Sequence, residues 1–397
     1  MKWNPIPFVT FLHLSAEAAP QACSSLELCD ATKIAPKVFI LNMFDREGDA
    51  WYNIPEFNLL SHNISVPGFS PRFPDAHCTE DGSICELVTG EAEINAGITI
   101  SALVHSSIFD LTQTYFLISG VAGISPKWGT TGSVTFARFA VQVALQHEID
   151  GREIPPGFAT GYFPLGTQAP DQFPTFIYGT EVFELNNDLR LLAYKFAQNA
   201  TLHDTPAAQT YRAQYATNNE ESIPAASPPS VVLCDTATSD NFWAGDLLAE
   251  AFENTTTLFT NGTGVYCTSQ QEDNATLEAL MRGALSGLVD FSRIIVMRTG
   301  SDFDRPFPGQ SASDGLFADQ GGFEPALRNT YLAGVKVVQG IITGWDEQFR
   351  EGVKATNYIG DILGSLGGQP KIVHRRNMEF SPMASSRRRA NRRAIVL

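Results

Sequence analysis

Short apolar runs alternate with amphipathic stretches along most of this chain. The apolar runs, rich in Val, Ile, Leu and Phe, predict buried strands at 37–43, 84–90, 115–119, 132–138, 230–234 and 290–297. The stretches between them predict helices at 91–109, 182–200, 244–252, 272–288 and 325–349, with a loop into a helix at 45–57. In the helix at 91–109 we expect Ile94, Ile98 and Ala102 to pack on the sheet. This alternation predicts an α/β fold with a central mixed, largely parallel β-sheet flanked by helices.

The domain organisation follows from where this alternation begins and ends. No linker or internal repeat divides residues 36–368, which therefore predict a single domain. Residues 1–35 form an irregular amino-terminal segment with weak signal-like features, since Lys2 precedes an apolar stretch and Ala16-Glu17-Ala18 resembles a cleavage site. Residues 369–397 form a basic tail without apolar periodicity, which indicates that the tail is disordered. The alternative is that the tail serves in nucleic-acid binding or nuclear targeting.

Charge and hydropathy restrict the class of partner. The formal net charge of −16 disfavours nucleic acid and anionic membranes. No segment approaches the ~20 apolar residues of a membrane helix, so no membrane span is expected. His and Cys spacings typical of a metal site are missing from the sequence, so no metal is expected either.

Cysteines and glycosylation sequons bear on the compartment. The six cysteines allow the pairs Cys23/Cys29, Cys78/Cys85 and Cys234/Cys267, among other pairings. Sequons begin at Asn63, Asn199, Asn254, Asn261 and Asn274. Together with the signal-like segment they favour a secreted or cell-surface protein; six buried thiols in a cytoplasmic protein is the alternative.

Two acidic residues follow predicted strands and are candidates for proton transfer. Asp302 lies in Arg298-Thr299-Gly300-Ser301-Asp302 after the strand at 290–297, and Glu47 lies four residues after the strand at 37–43. Ligands of α/β sheets bind beyond the carboxyl ends of strands. A turn cap for Asp302 and a first-turn helix position for Glu47 are the structural alternatives.

Three further segments are candidates for ligand binding. The small residues Gly120-Val121-Ala122-Gly123 would let a ligand approach backbone N–H groups, although tight turns use the same residues. Asp240, Phe242 and Trp243 follow the strand at 230–234, where an aromatic ring can stack on a flat base, core packing being the commoner use. Polar groups at 272–276 begin a helix and could equally serve as caps.

Taken together, these segments resemble a known family. Segments Tyr115–Asp150, Val231–Asp240, Gln271–Leu280 and Arg298–Pro308 closely match the fungal purine nucleoside permease family. The resemblance covers roughly residues 36–368 and implies purine nucleoside recognition in nucleoside uptake, with adenosine and guanosine as ligands. It also implies a membrane-associated partner, because no span is expected in this chain.

A more distant resemblance is to the nucleoside phosphorylase superfamily, especially nucleosidases that hydrolyse adenine nucleosides. It implies a nucleoside phosphorylase-like sheet, with Asp302 as the proton donor and Glu47 as the water-activating group. The substrate-binding residues that it implies are Gly120, Val121, Ala122, Gly123, Asp240, Phe242, Trp243, Asp273, Asn274, Arg298 and Ser301. Asn274 stands in place of a ribose-binding glutamate and Val121 in place of a serine, which favours binding over catalysis.

Two functions from different classes are therefore expected. The first is a nucleoside-binding protein of uptake, and the second is a secreted purine nucleosidase that breaks the N-glycosidic bond, or a phosphorylase. No cofactor is expected, and phosphate would be a co-substrate only of a phosphorylase. Relatives in the superfamily are commonly oligomers, so a homo-oligomer is expected by analogy.

Overall fold

The computed structural model describes residues 33–216, 223–371 and 379–380 of the chain. Its strands are β1 (Val38–Asn42), β2 (His62–Ser65), β3 (Asp75–Cys78), β4 (Ile84–Val88), β5 (Tyr115–Ile124), β6 (Val134–Ala137), β7 (Phe139–Gln142), β8 (His147–Glu148), β9 (Tyr162–Phe163), β10 (Phe176–Ile177), β11 (Val182–Glu184), β12 (Val231–Leu233), β13 (Asp235–Thr238), β14 (Tyr266–Gln270), β15 (Ile294–Phe303), β16 (Gly360–Asp361) and β17 (Glu379–Phe380). Its α-helices are α1 (Asp45–Asp49), α2 (Ala92–His105), α3 (Asn187–Ala197), α4 (Pro206–Arg212), α5 (Ile223–Ala226), α6 (Asp246–Phe259), α7 (Asp273–Leu285), α8 (Ala312–Phe317) and α9 (Phe323–Thr343). Single 3₁₀ turns lie at Leu59–Ser61, Ala213–Tyr215 and Phe291–Arg293, and a π-helical turn at Trp345–Phe349 follows α9.

A single large mixed sheet organises these elements. Its main path runs β16-β11-β7-β13-β14-β5-β1-β4-β3-β2, and β15, β6 and β12 branch from β5. The pairs β4–β1, β1–β5 and β5–β15 in its centre are parallel, whereas β15–β6 and β14–β5 are antiparallel. The predicted mixed α/β sheet with flanking helices is therefore confirmed.

Side chains of alternate residues in the central strands pack on opposite faces of the sheet. In β1, Phe39 and Leu41 pack with residues of α2 and α7, whereas Val38 and Ile40 pack with residues of α3 and α9. These four side chains are fully buried. Burial on both faces explains why this strand is continuously apolar rather than alternating.

One predicted helix face is wrong. Ile94 and Ile98 of α2 are 73% and 59% exposed, instead of packing on the sheet. The buried face of α2 is formed by Ala96, Thr99, Ile100, Leu103 and Val104, at an equally regular helical spacing. Two competing apolar stripes existed on this helix, and close packing against α7 selects the other one.

Two predicted element boundaries also differ from the structure. The predicted helix at 182–200 divides into strand β11 and helix α3, because Asn186 caps the helix by accepting the N–H groups of Asp188 and Leu189. The strand predicted to end at 297 continues through 303 as β15, with a register shift between Gly300 and Asp302. Asp302 is therefore held in a bulged strand and not in a loop.

The chain ends fall largely outside the described residues. Residues 1–32, with the signal-like features and the Cys23/Cys29 pair, are outside them, as are most residues of the basic tail. Of that tail, β17 pairs in parallel with β10. Disulfides join Cys78 to Cys85 and Cys234 to Cys267. Among the described residues, no helix has the length and apolarity needed to cross a bilayer.

Candidate functional site

A cavity of about 550 Å³ collects most of the predicted site residues. It lies against the carboxyl-terminal halves of the parallel neighbours β5 and β15 and against α1, which follows β1. The predicted residues that line it are Glu47, Val121, Ala122, Gly123, Phe242, Trp243, Arg298, Ser301 and Asp302. The parallel pairing explains this convergence, since Arg298 is in register with Gly120 and Asp302 with Gly123.

Glu47 is held rigidly in the wall of this cavity. Its carboxylate accepts the N–H of Met43 at Oε2 and the N–H of Val121 at Oε1, both at 2.7 Å. A Cβ on Gly120 would lie 2.5 Å from Glu47 Oε1, so only glycine admits this approach. Burial raises the pKa of Glu47 to about 8, and the nearby Arg298 charge offsets only part of that rise.

Asp302 presents the second carboxyl group. Its Oδ1 accepts the hydroxyl of Ser301 at 2.6 Å, and that hydroxyl also lies 3.1 Å from the carbonyl oxygen of Ala122. Burial raises the pKa of Asp302 to about 6, against the opposing hydrogen bond from Ser301. A carboxyl with this pKa is a far better proton donor near neutral pH than a free aspartic acid.

Arg298 is fully buried near Glu47. Its Nη2 lies 2.6 Å from Asp273 Oδ1 and 3.3 Å from Glu272 Oε2, and its Nη1 donates to the carbonyl of Val121. Among the described residues that line the cavity, it is the only Lys or Arg. The positive charge of Arg298 is therefore already paired with two acidic side chains of the protein itself.

Four predicted site residues do not line the cavity. Gly120 lies behind Glu47, and Asp273 lies behind Arg298. Asp240 is exposed and accepts the N–H of Glu93. Asn274 is buried with both ends of its amide occupied, since Oδ1 accepts the hydroxyl of Thr238 and Nδ2 donates to the carbonyl of Thr180.

Several lining residues were not predicted from the sequence. Glu272 lines the cavity two positions before Asn274, because it directly precedes α7. Ser269 and Gln270 at the end of β14 also line it, as does the segment 318–323. The capping pattern at 272–276 was the available signal for Glu272, whereas the segment 318–323 has no periodic pattern to reveal its position.

Aromatic rings form another part of the cavity lining. Phe242 is 65% exposed, whereas Trp243 is buried against Phe252 and Tyr266. Phe44 and Phe323 also line the cavity, and their rings are stacked with centroids 6.1 Å apart. Phe242 is thus the lining ring that is most available to stack on a flat ligand.

The raised pKa of Glu47 predicts a pH dependence of stability. A group that binds its proton more tightly when folded stabilises the fold at low pH, and this contribution is lost as the pH rises through about 8. We expect the free energy of unfolding to fall between pH 5 and 8, and Glu47→Gln to make that fall shallower by up to about 1.4 kcal/mol per pH unit. Denaturant titrations followed by tryptophan fluorescence measure both slopes.

Glu347→Gln serves as the matched control, because Glu347 is exposed on the π-helical turn. It is expected to keep the wild-type slope. An unchanged slope in Glu47→Gln would show that Glu47 does not carry its proton in the folded protein.

Two nucleosidases are among the solved structures that this chain resembles. The 5′-methylthioadenosine/S-adenosylhomocysteine nucleosidase from Neisseria meningitidis, in complex with methylthio-immucillin-A, matches with a TM-score of 0.45 and 14% identity, covering 77% of this chain and 99% of that one. The corresponding nucleosidase from Streptococcus pneumoniae, with a transition-state inhibitor, matches with a TM-score of 0.45 and 15% identity over the same shares.

Sequence comparison identifies closer relatives. The purine nucleoside permease of Candida albicans is 45% identical over 342 residues, covering 84% of this chain and 82% of the relative. The probable purine nucleoside permease of Schizosaccharomyces pombe is 40% identical over 322 residues, covering 78% and 90%. The family described as purine nucleoside permease (NUP) matches residues 35–354. The chain therefore belongs to the purine nucleoside permease family.

Proposed function

We propose that this protein binds purine nucleosides in the cavity and acts in their uptake, the process for which its family and relatives are named. The observation that carries the proposal is one cavity lined by both an exposed aromatic ring, Phe242, and a carboxyl group, Asp302, with a raised pKa. The ring can stack on a purine, and the carboxyl can exchange a hydrogen bond with a ring nitrogen. A volume of about 550 Å³ is in the range of sites for small ligands.

The charge of the lining favours uncharged nucleosides over nucleotides. Five acids line the cavity, namely Glu47, Glu91, Glu272, Asp302 and Asp319. Arg298, the one cation among the described residues of the lining, is already paired with Glu272 and Asp273. A phosphate group would meet carboxylates without a free cation to compensate them, so both nucleotide binding and phosphorolysis are disfavoured.

Hydrolysis of the N-glycosidic bond is the second candidate, favoured by the presence of Glu47 and Asp302 in one cavity. Protonated Asp302 would donate its proton to the purine, which leaves more easily as a neutral base. Ionised Glu47 would take a proton from water as that water attacks the sugar carbon, where oxocarbenium character develops. The products would be free purine and free sugar.

The two pKa values favour binding over hydrolysis. At pH 7 about one-tenth of Asp302 is protonated and about one-tenth of Glu47 is ionised, given pKa values of about 6 and 8. The protonation state that hydrolysis requires is therefore held by about one molecule in a hundred when the two groups titrate independently. Binding does not need this combination, which is why we place binding first and turnover second.

Titration calorimetry with adenosine and guanosine tests the proposal directly, with adenosine 5′-monophosphate as the charged comparison ligand. Saturable binding of the nucleosides and at least tenfold weaker binding of the monophosphate are expected. Chromatography of the same mixtures, with and without phosphate, measures free base. Absence of nucleoside binding would reject the proposal, and base release only in the presence of phosphate would reject the hydrolytic candidate.

Phe242→Ala should weaken adenosine binding by about 5- to 150-fold, because stacking of a base on an aromatic ring contributes about 1–3 kcal/mol. Binding of free ribose should not change. Calorimetric titration of the variant with both ligands checks this expectation.

Phe317→Ala is the matched control for this variant. Phe317 is 82% exposed but does not line the cavity. Equal adenosine affinity of the Phe242 and Phe317 variants would remove Phe242 from the binding site.

A further inference from the structure

Four of the five sequons present their asparagine at the surface of the folded protein, whereas the fifth does not. We propose that N-linked oligosaccharides are attached to the four exposed acceptors and that the buried fifth, Asn274, stays unmodified. The four exposed acceptors are Asn63, Asn199, Asn254 and Asn261.

Each exposed acceptor lies at a position that a bulky substituent can occupy. Asn63 is in β2, at the edge of the sheet, and Asn199 follows the carboxyl end of α3. Asn254 is on the solvent face of α6, opposite the buried positions of that helix, and Asn261 is in the turn after α6. An oligosaccharide on any of these side chains would extend into water without displacing the core.

Asn274 differs from the four exposed acceptors in its burial. It is 1% exposed, and its Nδ2, the atom that would carry the sugar, donates to the carbonyl of Thr180 at 2.7 Å. Its Oδ1 accepts the hydroxyl of Thr238 at 2.7 Å. A chain modified there before folding could not close α7 onto the sheet, so the folded protein must be free of sugar at this position.

The disulfides indicate that the chain meets the compartment where this chemistry occurs. Cys78–Cys85 and Cys234–Cys267 are both buried disulfides of the described structure. Disulfides form and persist in the secretory pathway and outside the cell, and are rare in the cytosol. The exposed sequons are an observation independent of the disulfides, and they also indicate the secretory pathway.

The modification is a group transfer from a lipid-pyrophosphate-linked oligosaccharide. The asparagine Nδ2 forms a bond to the anomeric carbon of the first sugar, the bond from that carbon to the pyrophosphate oxygen breaks, and Nδ2 releases one proton. The lipid pyrophosphate is the leaving group, and no oxidation or reduction takes place.

None of the four exposed acceptors lines the ligand cavity. The modified protein therefore keeps the cavity open, and the modification and the proposed nucleoside binding can be tested separately.

The test is to express the full chain, with its own amino terminus, in a eukaryotic host and to digest the purified protein with peptide N-glycosidase in heavy-oxygen water. This enzyme converts each modified asparagine into a heavy-oxygen-labelled aspartate, which peptide mass spectrometry locates. We expect labels at all four exposed acceptors and none at Asn274. A native glycoprotein of the same host, treated in parallel, shows that the host and the digestion are competent.

Single substitutions provide the matched series. Asn63→Gln, Asn199→Gln, Asn254→Gln and Asn261→Gln should each remove one step of the mobility shift that the enzyme produces on a denaturing gel. Absence of the label from even one of the four exposed acceptors would overturn the proposal. A label at Asn274 in folded protein would overturn it as well.

Discussion

Replacement of Asp302 by Asn is expected to reduce release of free base from adenosine by about 10²- to 10⁴-fold, the usual contribution of a positioned general acid. Asparagine has nearly the same shape, and it can still interact with a purine nitrogen, but it has no proton to transfer. The affinity for adenosine should therefore change by no more than about threefold. Chromatography of base release without phosphate and calorimetric titration of adenosine measure the two quantities.

The pH profile separates proton donation from a structural role of Asp302. The wild-type rate should rise to about pH 6, stay level to about pH 8 and fall above that, because hydrolysis needs ionised Glu47 together with the proton that Asp302 donates, and the falling limb marks the loss of that proton. The residual rate of the Asn variant should lack this limb. Loss of activity with an unchanged profile would indicate a structural role instead.

Asp319→Asn is the matched control, since Asp319 lines the same cavity but is exposed to solvent. Its rate should stay within about twofold of wild type. Base release at the wild-type rate by the Asp302 variant would exclude Asp302 as the proton donor. A wild-type protein that binds adenosine and releases no base would reject the hydrolytic candidate and leave binding as the function.

The convergence of the main site residues was predictable from sequence because it follows from parallel strands. Glu47, the Gly120–Gly123 segment and Asp302 each follow or end an apolar run, and the carboxyl ends of parallel neighbours meet at one edge of a sheet. The register of β5 with β15 then brings Asp302 opposite Gly123. Local pattern and topology agree at these positions, so the sequence alone was informative.

The rest of the site depends on contacts that have no local signature. Glu272 lines the cavity from the link between β14 and α7, whereas Asn274 lies inside α7 with its amide bonded to Thr238 and to the carbonyl of Thr180. The segment 318–323 is placed by Gln320, whose side chain accepts the N–H of Phe303 and donates to the carbonyl of Gly315. These are long-range or loop interactions, and hydrophobic periodicity does not report them.

The exposed face of α2 shows the limit of periodicity even within a helix. Ile94 and Ile98 satisfy a helical stripe, as do Ala96, Ile100 and Leu103. The structure buries the second stripe. On that side of α2, Gly97 faces Ala275 of α7, and a Cβ added to Gly97 would lie at an ordinary van der Waals distance from Ala275. Helix-to-helix fit, which a single sequence does not encode locally, selected between two equally regular faces.

Replacement of Arg298 by Met should destabilise the protein by about 3–5 kcal/mol at pH 7, because it leaves buried carboxylates without their cation. Asp273 is fully buried and bonded to Arg298 at 2.6 Å, and Glu272 and Glu47 are close enough for the Arg298 charge to lower their pKa values. Without that charge both pKa values rise further, so a smaller fraction of these acids is ionised at low pH and the loss is smaller there. The destabilisation should therefore grow from pH 5 to pH 8, as measured by denaturant titration at each pH.

Arg293→Met is the control that isolates the charge effect. Arg293 is also buried, but three of its four hydrogen bonds go to the backbone carbonyls of Gln113, Phe349 and Arg350, and its one carboxylate partner, Asp290, is partly exposed to solvent. Its loss should cost a similar free energy of unfolding that varies little with pH, since carbonyl groups do not titrate. Arg298→Lys should recover part of the stability, because an ammonium group restores the charge without the two-sided geometry of the guanidinium. Equal pH dependence of the Arg298 and Arg293 variants would show that Arg298 acts by packing and hydrogen bonding, and that the acids around it do not depend on its charge.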